Sequence, residues 1–379
     1  MRSKLPDVGT TIFTVMTKMA HESQAINLSQ GFPDFDCPEI LKQKVIHYLN
    51  DRRNQYAPMT GIPELREQIA VKLQTLYDCQ MDMDTEITVT SGATEALFDA
   101  IHATVARGEE VIMFDPAYDA YDPAVQLAGG VPIHIPMTLP DYRIDWQQVK
   151  DKISARTRLI IINSPHNPSG SVLHADDLDT LAELTRDTDI LVLSDEVYEH
   201  MTFDGGRHES VLRHEELRQR SFAVFSFGKT YHVTGWKAAY VVAPAALTAE
   251  LRKVHQFVTF TATSFIQYAL ADFMRDHPEH HESLPDFYQQ KRDTFCDLIR
   301  PSRFRFTPSA GTYFQCVDYS AIADVPDIEF TRWLCEEKRV ATIPLSPFYA
   351  QPPESRVIRF CFCKDDATLQ QAAEILCTL

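Results

Sequence analysis

Between residues 86 and 243 the chain alternates short, uniformly apolar runs with stretches that repeat apolar residues every three or four positions. The runs predict strands at Ile87–Thr90, Val111–Asp115, Leu159–Asn163, Ile190–Ser194, Phe222–Phe225 and Ala239–Val242. Leu159-Ile160-Ile161-Ile162 has no polar alternation, as a strand covered on both faces requires. Ala93, Ala96, Leu97, Ala100 and Ile101 share one face of a helix between the first two strands. An earlier helix carries Glu64, Leu65, Ile69 and Leu73 at helical spacing. Strands alternating with helices predict an α/β fold, a mostly parallel sheet covered by helices.

Beyond about residue 275 the pattern changes. Strands are expected at Phe304–Phe306, Tyr313–Val317, Val340–Ile343 and Val357–Cys363, with helices at about 327–338 and 365–378. This reads as a smaller α+β domain. The expected division is 1–45 for an N-terminal arm and part of the small domain, 46–275 for the large domain and 276–379 for the small C-terminal domain. The polar run from Asp276 to Glu282 reads as an exposed helix connection rather than a metal site. No internal repeat or low-complexity linker interrupts the chain.

The residues just after each strand carry the chemical information. The five segments are Ser91-Gly92-Ala93-Thr94, Pro116-Ala117-Tyr118, Ser164-Pro165-His166-Asn167, Asp195-Glu196-Val197-Tyr198 and Ser226-Phe227-Gly228-Lys229. In open α/β sheets ligands bind outside the carboxyl ends of the strands. Chance would scatter polar and aromatic groups over both ends.

Composition narrows the field. A chain of 379 residues exceeds what one core usually supports, so two domains are expected. A hydrophobic content of 44% and a charged content of 23% are ordinary for a soluble globular protein. The net charge of −17 argues against nucleic acid as a partner. No apolar run approaches ~18 residues, so no membrane span is expected. Met1 to Ala20 lacks an apolar signal-peptide core, and a cytoplasmic location is expected. The eight cysteines read as reduced, small hydrophobic residues. Cys361-Phe362-Cys363 is expected to place its thiols on opposite faces of a strand, unable to share a metal, and no metal is expected elsewhere.

Taken singly, the strand-end residues are ambiguous. Gly92, Ala93 and Thr94 open a helix, where free N–H groups attract a phosphate or simply accept a cap. Ser226 and Lys237 add a hydroxyl and a cation, or are ordinary surface groups. Tyr118 can lie on a flat ligand or pack. Asn167 precedes Pro168 and is biased toward extended backbone. Asp195 ends an apolar strand and needs a partner, such as a protonated ring nitrogen. Tyr198 lies three residues on. Lys229 is either one more surface lysine or a Schiff-base nucleophile. Arg359, in Val357-Ile358-Arg359-Phe360, is placed either for a structural ion pair or for a substrate α-carboxylate. Together these groups describe a pyridoxal 5'-phosphate site.

Ser226-Phe227-Gly228-Lys229 with Thr234-Gly235-Trp236-Lys237, Asn167-Pro168-Ser169-Gly170, and Ser194-Asp195-Glu196-Val197-Tyr198 resemble the motifs of fold-type I pyridoxal-phosphate aminotransferases of class I/II. The resemblance covers essentially the whole chain. Within the family, Asn27 to Phe35 and Asn54-Gln55-Tyr56 resemble bacterial methionine aminotransferases and the kynurenine aminotransferase/glutamine transaminase K group. It implies a seven-stranded-type sheet, ping-pong transfer from a large neutral or aromatic amino acid to a 2-oxo acid, and a homodimer with shared sites. It also implies that Tyr56 reaches the neighbouring subunit's phosphate, and that Gly31 and Asn167 assist Arg359 on the substrate carboxylate. Many relatives have arginine where Lys237 stands; lysine keeps the charge and loses the planar fork. Phe13, Phe32, Phe348 and Tyr349 suit an apolar substrate side chain or a core.

Two other readings compete. A C–S β-lyase on the same scaffold would release pyruvate and ammonia. A serine hydrolase would use Ser226-x-x-Lys229, but its companion Ser-Asp-Asn and Lys-Thr-Gly motifs do not occur. A P-loop reading of Gly228-Lys229-Thr230 fails because position 223 is alanine.

Overall fold

The computed structural model describes residues 3–379, so Met1 and Arg2 of the expected N-terminal arm lie outside the described residues. Strand β1 (Ile26–Asn27) belongs to the N-terminal arm. The main sheet is built from β2 (Ile87–Thr90), β3 (Glu110–Asp115), β4 (Val131–Pro136), β5 (Thr157–Asn163), β6 (Leu191–Asp195), β7 (Ser221–Ser226) and β8 (Ala239–Val242). Its spatial order is β2-β8-β7-β6-β5-β3-β4. The β4–β3–β5–β6–β7 pairings are parallel, while β8 runs antiparallel to both β7 and β2.

The six strands expected from apolar runs are all present in this sheet. The seventh, β4, escapes that reading because it is an edge strand with two prolines and only one buried residue. The central strands are buried on both faces. Two apolar cores flank them, one containing Ile112, Ile160 and Phe225, the other Val111, Leu159 and Phe222. Successive residues along each strand therefore feed opposite layers.

A second body is built on β9 (Phe314–Asp318), β10 (Val340–Ala341), β11 (Ile343–Pro344) and β12 (Val357–Cys361). β11, β12 and β9 form an antiparallel sheet in that order. β10 instead pairs in parallel with β1, so the N-terminal arm is stitched to this body. The Leu28 N–H extends that stitch to the Ala341 carbonyl, and the Cys361 N–H donates to the Leu28 carbonyl. The helix Glu39–Asn50 packs instead on the helix Ser264–Asp276, beside the main sheet, and the expected boundary at residue 45 falls inside it.

The chain departs from the expected pattern at four places. Phe304–Phe306 forms no strand, only one isolated bridge between Arg305 and Asp318. Val340–Ile343 is not one strand, because the chain changes sheet at Thr342. The Asp276–Glu282 connection is not simply exposed: His281 is buried and lies beside the His200 ring. Cys361 and Cys363 do not point to opposite faces. Residues two apart share a strand face, and their sulfurs stand 3.2 Å apart in the core.

Candidate functional site

The carboxyl ends of β2, β3, β5, β6 and β7 all open at one edge of the main sheet. Because β8 runs the other way, its amino-terminal end reaches that same edge. The register places Ser226 beside Ala239 and Asn163 beside Asp195. This topology brings Lys237, just before β8, next to Ser226, just before Lys229.

A cavity opens there, of about 230 Å³. Gly31, Gly92, Ala93, Thr94, Tyr118, Asn167, Asp195, Tyr198, Ser226, Lys229, Lys237 and Arg359 all line it. Tyr56 does not. It is 83% exposed and meets only the edge of Phe260, ring centroids 5.5 Å apart. Of the aromatics considered for a side-chain pocket, Phe13 and not Phe32, Phe348 or Tyr349 reaches the cavity. Phe348 is buried behind Phe13, ring centroids 5.6 Å apart.

Charge distinguishes this cavity from the rest of the chain. Lys229, Lys237 and Arg359 line it, against Asp195 as the one carboxylate of the lining. In a chain of net charge −17, that excess of cations at a concave site marks an anion-binding place.

The phosphate-sized end is made by the helix Ala93–Thr104. Its first N–H groups have no intrahelical acceptor. Gly92 precedes it with φ of 90°, and a Cβ there would come within 3.1 Å of Lys237 Nζ. Glycine is therefore what lets the lysine approach the helix start. Glu95 secures the turn by accepting from the Ser91 N–H. His255 lies 2.7 Å from Glu95 and donates on its other side to the Met59 carbonyl, 2.9 Å. Burial opposes charging His255, but Asp99 and Glu95 hold its pKa up at about 9. Glu95, Asp99 and His255 are the one metal-like trio among the described residues. The His255–Glu95 contact is already a hydrogen bond and leaves no room for an ion between them.

The opposite wall holds Asp195. Its carboxylate accepts from the Tyr121 hydroxyl at 2.7 Å. Burial pushes its pKa up to about 6, so an unpaired charge there is disfavoured. Asn163 braces this strand end: its amide donates to the Asp195 carbonyl at 2.8 Å, and its Oδ1 accepts from the Asn167 N–H at 2.8 Å. Below the turn, Glu199 is buried with Lys72, Tyr77 and Tyr240, and Glu196 bonds His208 at 2.8 Å. These pairs pin both sides of Tyr198.

Arg359 is wholly buried. Nη1 donates to Asn167 Oδ1 at 2.7 Å and Nη2 to the Ser29 carbonyl at 3.0 Å. The guanidinium lies over the Phe314 ring, 3.8 Å from its centroid. Its Nε has no partner, and no carboxylate pairs with it among the described residues. A buried guanidinium without a counter-ion is a place prepared for an anion.

Lys229 sits in the short helix Phe227–Thr230, immediately after β7. Its amine donates to the Gly31 carbonyl at 3.0 Å and the Tyr313 hydroxyl at 2.7 Å. Burial, with Arg359 nearby, lowers its pKa to about 8. Neither bond goes to Ser226, so the pair required for a Ser-x-x-Lys hydrolase is not formed.

Sequence reasoning misses Asn163, Tyr121 and Tyr313. Asn163 is legible as the last residue of a predicted strand. Tyr121 sits three residues after Tyr118, at the start of the next helix. No local signal points to Tyr313, which arrives from the second body.

A family model of the class I and II aminotransferases matches residues 23–376. The methionine aminotransferase of Escherichia coli K12 is 52% identical over 99% of this chain and 97% of its own. Human kynurenine–oxoglutarate transaminase 3 is 33% identical over 98% of this chain and 89% of its own. A crystal structure of the Escherichia coli protein YbdL, described as identifying a methionine aminotransferase function, superposes with a TM-score of 0.98 at 52% identity, over 100% of this chain and 99% of that one. The Mycobacterium tuberculosis N-succinyldiaminopimelate aminotransferase structure gives 0.96 at 34% identity, over 100% and 99%.

Proposed function

The chain belongs to the class I and II aminotransferases, and we propose that it moves the amino group of methionine, or of another large neutral or aromatic L-amino acid, to a 2-oxo acid by means of pyridoxal 5'-phosphate.

The lining residues fit that cofactor. The helix start behind Gly92 and the Lys237 cation suit a phosphate, with Ala93, Thr94 and Ser226 beside it. Asp195, buried and opposed to an unpaired charge, suits a protonated ring nitrogen. Tyr118 borders the same space and suits the ring face, while Asn167 and Tyr198 suit the ring oxygen. Lys229 has the lowered pKa that amine chemistry needs and would hold the aldehyde carbon. When bound, the cofactor supplies an electron-accepting ring that stabilises negative charge at the substrate Cα.

The protein's own groups do the rest. Arg359, with Asn167 and Gly31, holds the substrate α-carboxylate and thereby fixes the Cα. The Lys229 amine would take the proton from the substrate Cα and return it. Asp195 would hold a protonated ring nitrogen by pairing with it.

One observation carries the substrate class. Once Lys237 serves the phosphate, Asp195 the ring, Lys229 the amine chemistry and Arg359 the carboxylate, no charged lining residue remains for a side chain. The rest of the wall is neutral, with Phe13, Leu97, Val197 and Phe314 beside Gln30, Asn163 and Thr234. That favours an apolar or neutral side chain over a dicarboxylic one.

The proposal includes a homodimer. Tyr56, Phe257, Val258 and Phe260 are exposed, Phe257 at 86%, and an apolar group of this kind on one face suits a subunit contact. There Tyr56 of the partner subunit would complete the phosphate site. It also includes a small domain made of 276–379 with the N-terminal arm, supported by the β1–β10 pairing. Among the described residues no helix is long and apolar enough to cross a membrane.

Steady-state rates with methionine, phenylalanine, kynurenine and aspartate against several 2-oxo acids test the reading. Parallel double-reciprocal lines and a kcat/KM for methionine at least ~100-fold above that for aspartate are expected. Aspartate as the equal or better donor would overturn the substrate class.

A further inference from the structure

We propose that the Tyr313 hydroxyl and the Gly31 carbonyl form a dock for the free amine of Lys229, which makes Tyr313 a positioning residue of the reaction. The inference rests on the reading of Lys229 as the cofactor-bearing lysine. In that reading the amine has two states, bonded to the cofactor or free. The contacts that follow are those the amine makes with this chain's own groups.

The geometry is specific. Tyr313 lies at the start of the second body's sheet and is fully buried. Its hydroxyl donates to the Gly31 carbonyl, so its oxygen lone pairs face the amine. Lys229 Nζ then donates to both oxygens, at 2.7 Å and 3.0 Å. Three distant segments meet at this point: the short helix after β7, the Gly31 loop and the residue preceding β9. A Cβ on Gly31 would stand 2.9 Å from Phe314 Cζ, so only glycine brings its carbonyl this close. The amine also lies 5.3 Å from the ring centroids of Tyr198 and Tyr313.

The dock does what a displaced lysine needs. A buried ammonium without acceptors would lose its proton or swing into open solvent. Two acceptors beside the cavity keep the amine near the reacting carbon and support its protonated form, the form that returns a proton. The other titratable groups facing Lys229 are Asp195 from β6, Tyr198 after it, Arg359 and Cys361 from β12, and Cys363 just beyond. Burial lowers the Lys229 pKa, and an acceptor bonded to the ammonium opposes that lowering.

Tyr313→Phe removes the hydroxyl and keeps the ring. Tyr288→Phe is its control: Tyr288 packs on Tyr313 with ring centroids 5.8 Å apart, and its hydroxyl has no partner among the described residues. The measurement is competitive acetylation of the full-length apoprotein with trace acetic anhydride across pH, with Lys229 modification quantified by mass spectrometry. The labelling midpoint is expected to fall by about one pH unit in Tyr313→Phe and to stay in place in Tyr288→Phe. An unchanged midpoint in Tyr313→Phe, or an equal fall in both variants, would overturn the dock. Pyridoxal phosphate added to the same wild-type sample separates this from the underlying reading. A visible absorbance band with an unshifted midpoint removes the dock alone. No band sinks the reading of Lys229 and the dock with it.

Discussion

Arg359 Nη1 donates to Asn167 Oδ1 at 2.7 Å, across 192 residues of chain, and among the described residues the guanidinium meets no carboxylate. The amide oxygen orients the cation without neutralising it. Arg359→Lys should therefore keep the charge and lose the two-pronged grip. A KM for the amino acid raised about 100-fold is expected, with cofactor absorbance unchanged. Initial-rate kinetics beside a cofactor titration check this; a KM within a few-fold of wild type would remove Arg359 from the carboxylate site.

Lys237 tests the phosphate end. Its side chain makes no hydrogen bond or ion pair among the described residues, so it contributes little to the fold. Lys237→Ala should weaken pyridoxal-phosphate binding roughly 10- to 100-fold and leave the apoprotein's melting temperature in place. Fluorescence titration gives the affinity. A loss of melting temperature without a loss of affinity would make the lysine structural.

Asp195 sets a pH dependence. Burial raises its folded-state pKa from the ordinary 3.8 to about 6. Between these values the folded apoprotein binds more protons than the unfolded chain, so this carboxyl's contribution to stability falls as pH rises from about 4 to 6. Asp195→Asn should therefore melt higher than wild type at pH 8 without cofactor, with the gap closing toward pH 4. Adding cofactor should raise the wild-type melting temperature more than the variant's. Thermal melts at these pH values decide it.

The Lys72–Glu199 pair beneath Tyr198 is fully buried. Lys72→Met leaves the Glu199 carboxylate without its cation and should cost about 3–5 kcal/mol of stability. The double variant Lys72→Met, Glu199→Leu should regain most of it. Denaturant titration of both checks the order; a double variant as unstable as the single one would contradict it.

Much of the site is legible in the sequence because a parallel sheet gathers its strand ends at one edge. Each of β2, β3, β5, β6 and β7 announces itself as an apolar run, and the next few residues supply the chemistry. The hidden parts come from elsewhere in the chain. Lys229 and Tyr313 are 84 residues apart, and nothing near either one records the contact. Residue Thr342, where β10 ends and β11 begins in another sheet, looks like the middle of one strand. Edge strand β4, with Pro132 and Pro136, lacks the apolar run that marks its neighbours. Cys361 and Cys363 share a face by simple strand periodicity and lie in contact beneath Lys229's wall of the cavity.

An absorbance spectrum of the purified protein with pyridoxal phosphate, before and after methionine alone, decides whether Lys229 carries the cofactor through amino transfer. The wild-type protein should show a visible band that shifts to the near ultraviolet with methionine and returns with a 2-oxo acid, and Lys229→Ala should show none. A wild-type protein that never acquires the band would contradict it. A band that persists while ammonia accumulates would assign the scaffold to carbon–sulfur elimination instead.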